Sequence, residues 1–278
     1  MKTNELKLKI DHKIHIYSYP IVMGIVNCTP DSFYGGSRKQ LKENILALVE
    51  KHLNDGATII DIGGFSTRPG TQFITEKEEI ERISAPLAWI LERFPSAKLS
   101  IDTFRSSVAE HCLSNGAHII NDISGGEFDP EILDVVAKFN CPYIAMHLIG
   151  NLTTMHNEYN YVAIEEDVCS YFELKYSTYK NKGIHNVIID PGFGFSKSKE
   201  DNFRLLKNLK TLQKLSLPIL VGLSRKRMIW QTLDLNPNEA LNGTSILNTI
   251  ALQNGASILR VHDVKEAMEA IKLMKMLA

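Results

Sequence analysis

Eight short apolar runs, separated by longer stretches with helical periodicity, are the feature of this sequence that most limits its fold. Strands that alternate with helices form a parallel sheet, because each helix returns the chain to the same edge. Eight such units in 278 residues predict a single (β/α)8 barrel of the TIM type. The predicted strands are residues 21–26, 58–62, 98–102, 118–121, 142–147, 186–190, 218–222 and 257–261.

The first twenty residues have a different pattern from the rest. Leu6, Leu8 and Ile10, and then Ile14 and Ile16, alternate with polar residues. This alternation predicts an N-terminal β-hairpin within residues 1–20, which we expect to cover one end of the barrel. No Pro/Ser-rich linker divides the chain, so we expect one domain over residues 1–278.

Three joins between a predicted helix and the following strand have the same local sequence. Each has Asp or Asn, then Gly, then Ala, at residues 55–57, 115–117 and 254–256. Glycine suits the left-handed conformation that ends many helices. We therefore predict that these three glycines are helix C-caps.

The balance of charges excludes several classes of partner. Lysine and arginine total 31 and aspartate and glutamate total 32, which predicts neither a nucleic-acid surface nor a polybasic membrane patch. The sequence has no signal-peptide core and no apolar run of about 18 residues, so we expect a cytoplasmic protein. Its cysteines lack CxxC spacing, which argues against a zinc site or a disulfide framework and for reduced thiols: Cys28, Cys112, Cys141 and Cys169.

A polar residue stands at the carboxyl end of nearly every predicted strand. In a barrel these ends meet on one face, where the active site lies. Any one of them alone could be an ordinary turn residue, but their recurrence favours a functional site. No GxGxxG or Walker loop follows the first strand, which argues against a dinucleotide fold. The residues are Asn27, Asp61, Asp102, Asn121, His147, Asp190, Ser224, Arg260 and His262.

The first two strands lead into glycine-containing loops. The first loop includes Gly35 and Gly36, and the second contains Ser66, Thr67 and Arg68. Glycines allow such loops to move over a ligand, and the hydroxyls and guanidinium suit an anion. Each loop could equally be a solvated turn.

Seven motifs, in order along residues 21–264, resemble the signature motifs of the dihydropteroate synthase family. They are MGIVNCTPDSF (23–33), DIGGFSTRPG (61–70), SIDT (100–103), NDISGG (121–126), DPGFGF (190–195), GLSRK (222–226) and LRVHDV (259–264). The resemblance implies a (β/α)8 barrel, commonly a homodimer, with a pterin deep in its mouth. It also implies a sulfonamide-sensitive transferase of folate synthesis, which joins a pterin pyrophosphate to p-aminobenzoate.

The resemblance assigns a pterin-binding role to several strand-end residues. Asp190 takes the donor edge of the pterin, Asn121 and Asp102 contact its second ring, and Lys226 donates to its acceptors. Met146 and Phe195 form apolar walls. The alternatives are helix N-caps for the two aspartates and core packing for the walls.

For the pyrophosphate, the resemblance implies contacts with Arg68, Arg260 and His262, and with Mg²⁺ bound to Asn27. Such an ion needs few protein ligands, since water and phosphate oxygens supply the rest. Thr67 and Ser224 would meet the p-aminobenzoate carboxylate, with Phe33, Pro69 and Phe195 around its ring. The residues expected to be catalytic are Asp102, Asp190, Lys226 and Arg68. His147 is expected to be a hydrogen-bonded histidine of the barrel mouth.

Three features depart from the usual pattern of the family. The first loop is one residue shorter and lacks an aspartate before Gly35, and Phe65 stands where many members have glutamate. Both features are similar to a Bacteroidetes-like branch. The stretch MHLIGNLTTM (146–155) lacks the proline of the common MHMxGxPxTM pattern. A non-catalytic pterin-binding paralogue and a pterin-dependent methyltransferase domain with a corrinoid partner remain as alternatives.

Overall fold

The computed structural model describes residues 5–10, 13–18, 20–28, 38–65 and 73–277. Its main sheet contains eight parallel strands. All eight predicted strands are present within about two residues of their predicted bounds, so the barrel prediction is confirmed. They are β3 Ile21–Asn27, β4 Ile59–Gly63, β5 Lys98–Asp102, β6 Ile119–Asp122, β7 Tyr143–Met146, β8 Val187–Asp190, β9 Leu220–Val221 and β10 Ile258–Val261.

The strands close into a barrel. Their order in the sheet is β8-β7-β6-β5-β4-β3-β10-β9, and a parallel bridge between Ile189 and Ile219 joins β8 to the segment that leads into β9. The Ile189 N–H donates to the Pro218 carbonyl oxygen at 3.0 Å across this seam. Closure pairs the backbone groups that an open sheet would leave at its edges.

Helices connect the strands and cover the outside of the barrel. The apolar outward residues of the strands share a core cluster with the inner faces of these helices, as expected for a parallel sheet buried on both sides. The helices are α1 Arg38–Asp55, α2 Glu76–Arg93, α3 Ser106–Ser114, α4 Ile132–Phe139, α5 Ile164–Asn181, α6 Lys199–Lys207, α7 Arg227–Thr232, α8 Leu241–Gln253 and α9 Val264–Met276, with 3-10 segments at Leu209–Leu215 and Pro237–Glu239.

The three Gly-Ala joins have the predicted left-handed geometry. Gly56, Gly116 and Gly255 have φ values of +106°, +95° and +98°. A side chain would be strained at these values. Each glycine ends a helix and lets the chain turn at once into the next strand, so the prediction of helix C-caps is confirmed.

The N-terminal hairpin covers the end of the barrel where the strands begin. Strands β1 Glu5–Ile10 and β2 Lys13–Ser18 pair antiparallel. Leu6, Leu8 and Ile10 are at most 2% exposed and pack on residues near the starts of the barrel strands, such as Ile59 and Ile258. The hairpin and its covering role are therefore as predicted.

The second strand of the hairpin differs from the first. Ile14 and Ile16 are 67% and 58% exposed, because they pair with Lys9 and Lys7 on the outer face. The inner face of β2 instead packs through Tyr17. Alternation alone identified the strand but could not show which of its two faces is buried.

Two other expectations can be compared with the described residues. Cys28, Cys112, Cys141 and Cys169 are buried free cysteines, as predicted. Burial raises the pKa of the Cys28 thiol to about 12, which keeps it protonated at neutral pH. Among the described helices, none is both long and apolar enough to cross a membrane.

The hairpin provides a matched test of this packing. We expect Leu8→Ala to lower the free energy of unfolding by about 2–5 kcal/mol, because it empties a buried position under the barrel. Ile16→Ala, in the same hairpin but exposed, should cost less than about 1 kcal/mol. Urea denaturation of both variants measures the difference, and equal losses would contradict the proposed contact between hairpin and barrel.

Candidate active site

Polar side chains collect at the carboxyl ends of the barrel strands, opposite the hairpin. Asn27, Asp102 and Asp190 are the last residues of β3, β5 and β8. Asn121 and Arg260 are the next-to-last residues of β6 and β10. Since all eight strands are parallel, these residues lie at one end of the barrel.

Arg260 joins two carboxylates from different strands. Its Nε donates to Asp61 Oδ2 at 2.7 Å, and its Nη2 donates to Asp102 Oδ2 at 2.6 Å. The Asn121 amide also donates to Asp61 Oδ2, at 3.0 Å. One network therefore fixes side chains of β4, β5, β6 and β10 relative to one another.

The network has unusual electrostatics. Burial by itself lowers the pKa of Arg260, but Asp61 and Asp102 raise it above its ordinary value, so the guanidinium stays charged. Burial raises the pKa of Asp102 to about 7, although Arg260 opposes this shift. The short contact with Arg260 favours the carboxylate form of Asp102. The Asp102 side chain is 21% exposed.

A second group of polar residues surrounds Asp190. Its Oδ1 accepts a hydrogen bond from the Gly192 N–H at 2.8 Å. Burial raises the pKa of Asp190, while the nearby Lys226 lowers it. Burial in turn lowers the pKa of Lys226 to about 8, with Asp190 acting in the opposite direction. The Lys226 ammonium lies 4.7 Å from the centre of the Phe195 ring and donates to the Phe193 carbonyl oxygen.

Apolar residues form part of the wall next to these groups. Met146 is 3% exposed and belongs to a cluster that also contains Phe65 and Phe104, with Phe195 packed at its margin. The Phe195 ring stacks on His156, with 5.4 Å between centroids. The two predicted wall residues are thus also packing residues, which is compatible with both interpretations of the sequence.

Ser224 and His262, which follow β9 and β10, contact each other. The Ser224 hydroxyl is 3.0 Å from His262 Nδ1 and accepts from the His262 N–H at 3.2 Å. Arg225, between Ser224 and Lys226, makes a two-pronged ion pair with Asp263, both N–O distances being 2.9 Å. This pair joins the loops that follow β9 and β10.

Comparison with known proteins agrees with this arrangement. The model of a family described as pterin binding enzyme matches residues 23–262. A dihydropteroate synthase from Synechocystis is 42% identical over 253 residues, which are 90% of this chain and 87% of that protein. The chain belongs to the dihydropteroate synthase family of pterin-binding enzymes.

Two further relatives show how far the similarity extends. The folic acid synthesis protein fol1 of Pneumocystis carinii is 40% identical over 95% of this chain, and the match spans only 37% of that longer protein. A crystallised dihydropteroate synthase from Xanthomonas albilineans with 4-aminobenzoic acid superposes with a TM-score of 0.91 at 34% identity, covering 99% of this chain and 98% of that one. The fold is therefore similar to that of the Xanthomonas protein over 99% of this chain.

The structure brings together most of the residues that the family motifs identified. Asp102, Asn121 and Arg260 share one network, Asp190, Lys226 and Phe195 form another, and Ser224 contacts His262. Thr67, Arg68, Phe33 and Pro69 lie outside the described residues. Their expected roles stay predictions.

Sequence reasoning gave no site role to three residues that the structure connects to this region. Asp61 was recognised as a strand-end residue, but the sequence could not show that it is fully buried beside Arg260. Lys197 follows the DPGFGF motif and is only 6% exposed. Arg105 pairs with the buried Glu79, with 2.5 Å between its Nη1 and Glu79 Oε2. The available signal for Lys197 and Arg105 was a charged residue two positions after the end of a site motif.

Phe65, one of the departures from the expected family pattern, has a packing role. Its ring stacks on Phe73 at 6.0 Å and meets Phe104 edge-on at 5.7 Å between centroids. The Arg105 guanidinium lies 5.7 Å from the centre of the Phe65 ring. Glu79, from α2, supplies the carboxylate that pairs with this guanidinium.

His147 has the structural role that the sequence favoured. The ring is 2% exposed, its Nδ1 lies 3.0 Å from Lys197 Nζ, and Tyr171 meets it edge-on at 4.8 Å. Burial holds the pKa of His147 well below its ordinary value. The imidazole is therefore neutral at physiological pH.

The donor set limits how a metal ion could be held. Within the part of the chain that the structure describes, no group of three or more His, Cys, Asp or Glu could hold a metal ion. Asn27 offers one hard oxygen donor at the end of β3. Asn27 therefore fits a Mg²⁺ ion whose other ligands are water and phosphate oxygens.

The network around Arg260 leads to a prediction for Asp61. We expect Asp61→Asn to lower the free energy of unfolding by about 2–3 kcal/mol, because it removes a buried carboxylate that accepts from a guanidinium and an amide. The exposed Asp234→Asn is the matched control and should change stability by less than about 0.5 kcal/mol. Chemical denaturation at neutral pH tests this, and equal stabilities would show that Asp61 does not hold the network.

Proposed function

We propose that this protein is a dihydropteroate synthase. It would join 6-hydroxymethyl-7,8-dihydropterin pyrophosphate to p-aminobenzoate, releasing pyrophosphate. The observation that carries the proposal is the convergence of Asp102, Asn121, Asp190 and Lys226 at one barrel end, in a chain of the dihydropteroate synthase family. The relative from Xanthomonas that was crystallised with 4-aminobenzoic acid supports the same choice of second substrate.

The pterin is recognised by charge-assisted hydrogen bonds in this proposal. A pterin edge carries ring and amino N–H donors, which suit the Asp190 carboxylate. Asp102 and the amide of Asn121 face the second ring, and the Lys226 ammonium donates to a pterin acceptor. Met146 and Phe195 bound the ring plane. Support comes from the burial of Asp190, which is only 8% exposed. Water therefore competes little with the pterin for this carboxylate.

The leaving pyrophosphate is stabilised by positive charge. Arg68 and His262 contact its oxygens in this proposal. Arg260 uses two of its five N–H donors on Asp61 and Asp102, so it both orients these carboxylates and contributes a cation to the same space. Asn27 would hold Mg²⁺, which when bound neutralises phosphate charge.

The reaction exchanges one bond for another at the pterin methylene carbon. The carbon–oxygen bond breaks first, and its electron pair leaves with pyrophosphate. A cation delocalised over the pterin remains, and the carboxylates of Asp102 and Asp190 stabilise it. The p-aminobenzoate nitrogen then supplies the electron pair for the new carbon–nitrogen bond and loses its extra proton to water. No covalent intermediate with the protein is needed.

The p-aminobenzoate would lie toward the open side of the mouth. Ser224 and Thr67 meet its carboxylate, and Phe195 contacts its ring together with Phe33 and Pro69. The Ser224 hydroxyl is held by His262, which supports a fixed donor at that position. Sulfonamides, which share this shape, would compete for the same place.

We also propose that the chain acts as a cytoplasmic homodimer of single-domain barrels. Apolar residues on one side of the barrel support the dimer. Leu233, Leu235 and Ile246 are 48%, 37% and 51% exposed, and Leu233 lies against Gly243 of α8. Light scattering coupled to gel filtration measures the mass, and Ile246→Lys should favour the monomer.

A pyrophosphate-release assay tests the proposed function. The purified protein, given pterin pyrophosphate and Mg²⁺, should release pyrophosphate rapidly only after p-aminobenzoate is added, with equal formation of dihydropteroate. Pterin binding without turnover would identify a non-catalytic paralogue instead. Absence of pterin binding would contradict the proposal as a whole.

Asp190 is the residue whose replacement should affect pterin binding most directly. Asp190→Asn should weaken it by about 2–3 kcal/mol or more, because an amide cannot accept from both pterin donors as a carboxylate does. The exposed Asp134→Asn on α4 should bind normally. Calorimetric titration with a pterin measures both, and unchanged affinity in a folded Asp190→Asn protein would remove Asp190 from the site.

The lowered pKa of Lys226 predicts a pH dependence. Since this pKa is about 8, the cation is complete below that pH and is lost as the pH rises through it. Pterin affinity should therefore fall several-fold from about pH 7 to about pH 9. Lys226→Arg, whose guanidinium stays protonated, should have a flatter profile. The pterin affinities of the wild type and of Lys226→Arg are measured at each pH. If their ratio stays constant across pH, Lys226 is not the titrating donor.

A further inference from the structure

Lys197 is a buried cation that the proposed chemistry does not use. It is 6% exposed, and its Nζ lies 3.0 Å from His147 Nδ1, 3.0 Å from the Gly192 carbonyl oxygen and 3.1 Å from the Phe195 carbonyl oxygen. All three partners are neutral acceptors. A buried ammonium without a directly bound carboxylate is costly, so its position calls for an explanation.

The contacts match an ammonium rather than a neutral amine. Three acceptors within 3.1 Å correspond to the three protons of an ammonium, whereas an amine has only two. Burial lowers the pKa of Lys197 to about 7, and Asp190 raises it in part. His147 must then accept through Nδ1 and carry its proton on Nε2. Lys197 thereby also selects one histidine tautomer.

The two backbone groups of Gly192 connect Lys197 to the Asp190 carboxylate. The Gly192 carbonyl accepts from Lys197, and its N–H donates to Asp190 Oδ1 at 2.8 Å. A Cβ at Gly192 would lie 2.1 Å from the His147 carbonyl oxygen and 3.2 Å from Lys197 Nζ. The backbone therefore passes so close to His147, the residue after β7, that only glycine fits. Lys197 therefore holds the carbonyl group of the same residue whose N–H orients Asp190.

The same ammonium also holds the backbone of Phe195. The Phe195 carbonyl accepts from Lys197, while the ring faces Lys226 Nζ at 4.7 Å. Ser196, the next residue, donates its N–H to the Met155 carbonyl oxygen at 2.8 Å. The turn between β8 and α6 is thus joined to the segment after β7 by both Lys197 and Ser196. Two elements of the proposed pterin wall depend on this junction.

We propose that Lys197 is a positioning residue for pterin binding, whose ammonium joins the turn after β8 to His147 and so fixes Asp190 and Phe195 in the wall of the site. It does not touch the pterin. The inference rests on the proposed function, because it concerns the wall that would hold the pterin.

A set of three variants separates positioning from general stability. Lys197→Met keeps the length of the side chain and removes its donors, and we expect it to lower pterin affinity at least tenfold in calorimetric titrations. Lys199→Met, two residues away and exposed, should bind within twofold of the wild type. Ile271→Val, in the buried core of α9, provides a destabilised protein with an intact site and should also bind within twofold.

Two results would overturn the proposal. One is a folded Lys197→Met protein that binds the pterin within twofold of the wild type. The other is an equal loss of pterin affinity in Ile271→Val and Lys197→Met when both variants show the same decrease in melting temperature. Lys197 would then contribute only to stability. Pterin binding by the wild type is measured first, so that failure of the proposed function is recognised separately.

A measurement on the wild type decides the matter if Lys197→Met does not fold. Nitrogen-15 spectra of histidine-labelled protein, with the His147 signals assigned from His147→Gln, should show an unprotonated Nδ1 and a protonated Nε2 near neutral pH. The pattern should persist when a pterin is added. A proton on Nδ1 would contradict the ammonium contact and with it the proposed junction.

Discussion

The arrangement of the barrel mouth depends on the guanidinium of Arg260. It contacts Asp61 and Asp102, and Asp61 is 199 residues away along the chain. Neither carboxylate would be stable at this depth without a cation, and the cation would not be stable without them. Because Asn121 donates to the same Asp61 oxygen, the network fixes polar groups of four strands before any ligand is present.

The two ends of the barrel have opposite character for a physical reason. At the end where the strands begin, Leu6, Leu8 and Ile10 close the interior with apolar packing. At the other end, burial of Asp190 and Lys226 shifts both pKa values toward the neutral forms. A ligand with complementary donors and acceptors removes that penalty, since it satisfies these groups without water.

The sequence predicted the features that depend on local pattern. It did not predict the features that depend on contacts between residues far apart in the chain. Strand positions and the three glycine caps follow from periodicity and backbone geometry, and parallel strands bring their ends together whatever their order. The exposure of Ile14 and Ile16 depends on which hairpin face meets the barrel. The roles of Asp61 and Lys197 depend on partners such as Arg260 and His147, which periodicity does not identify.

We propose that the strand ends form the pterin site before other ligands bind. Calorimetric titration of the wild type with a pterin alone, and then with p-aminobenzoate alone, tests it most directly. We expect one pterin to bind per chain without Mg²⁺ or pyrophosphate, and p-aminobenzoate to bind negligibly until pterin, Mg²⁺ and pyrophosphate are present. A pterin that binds only after pyrophosphate and Mg²⁺ are added would contradict it.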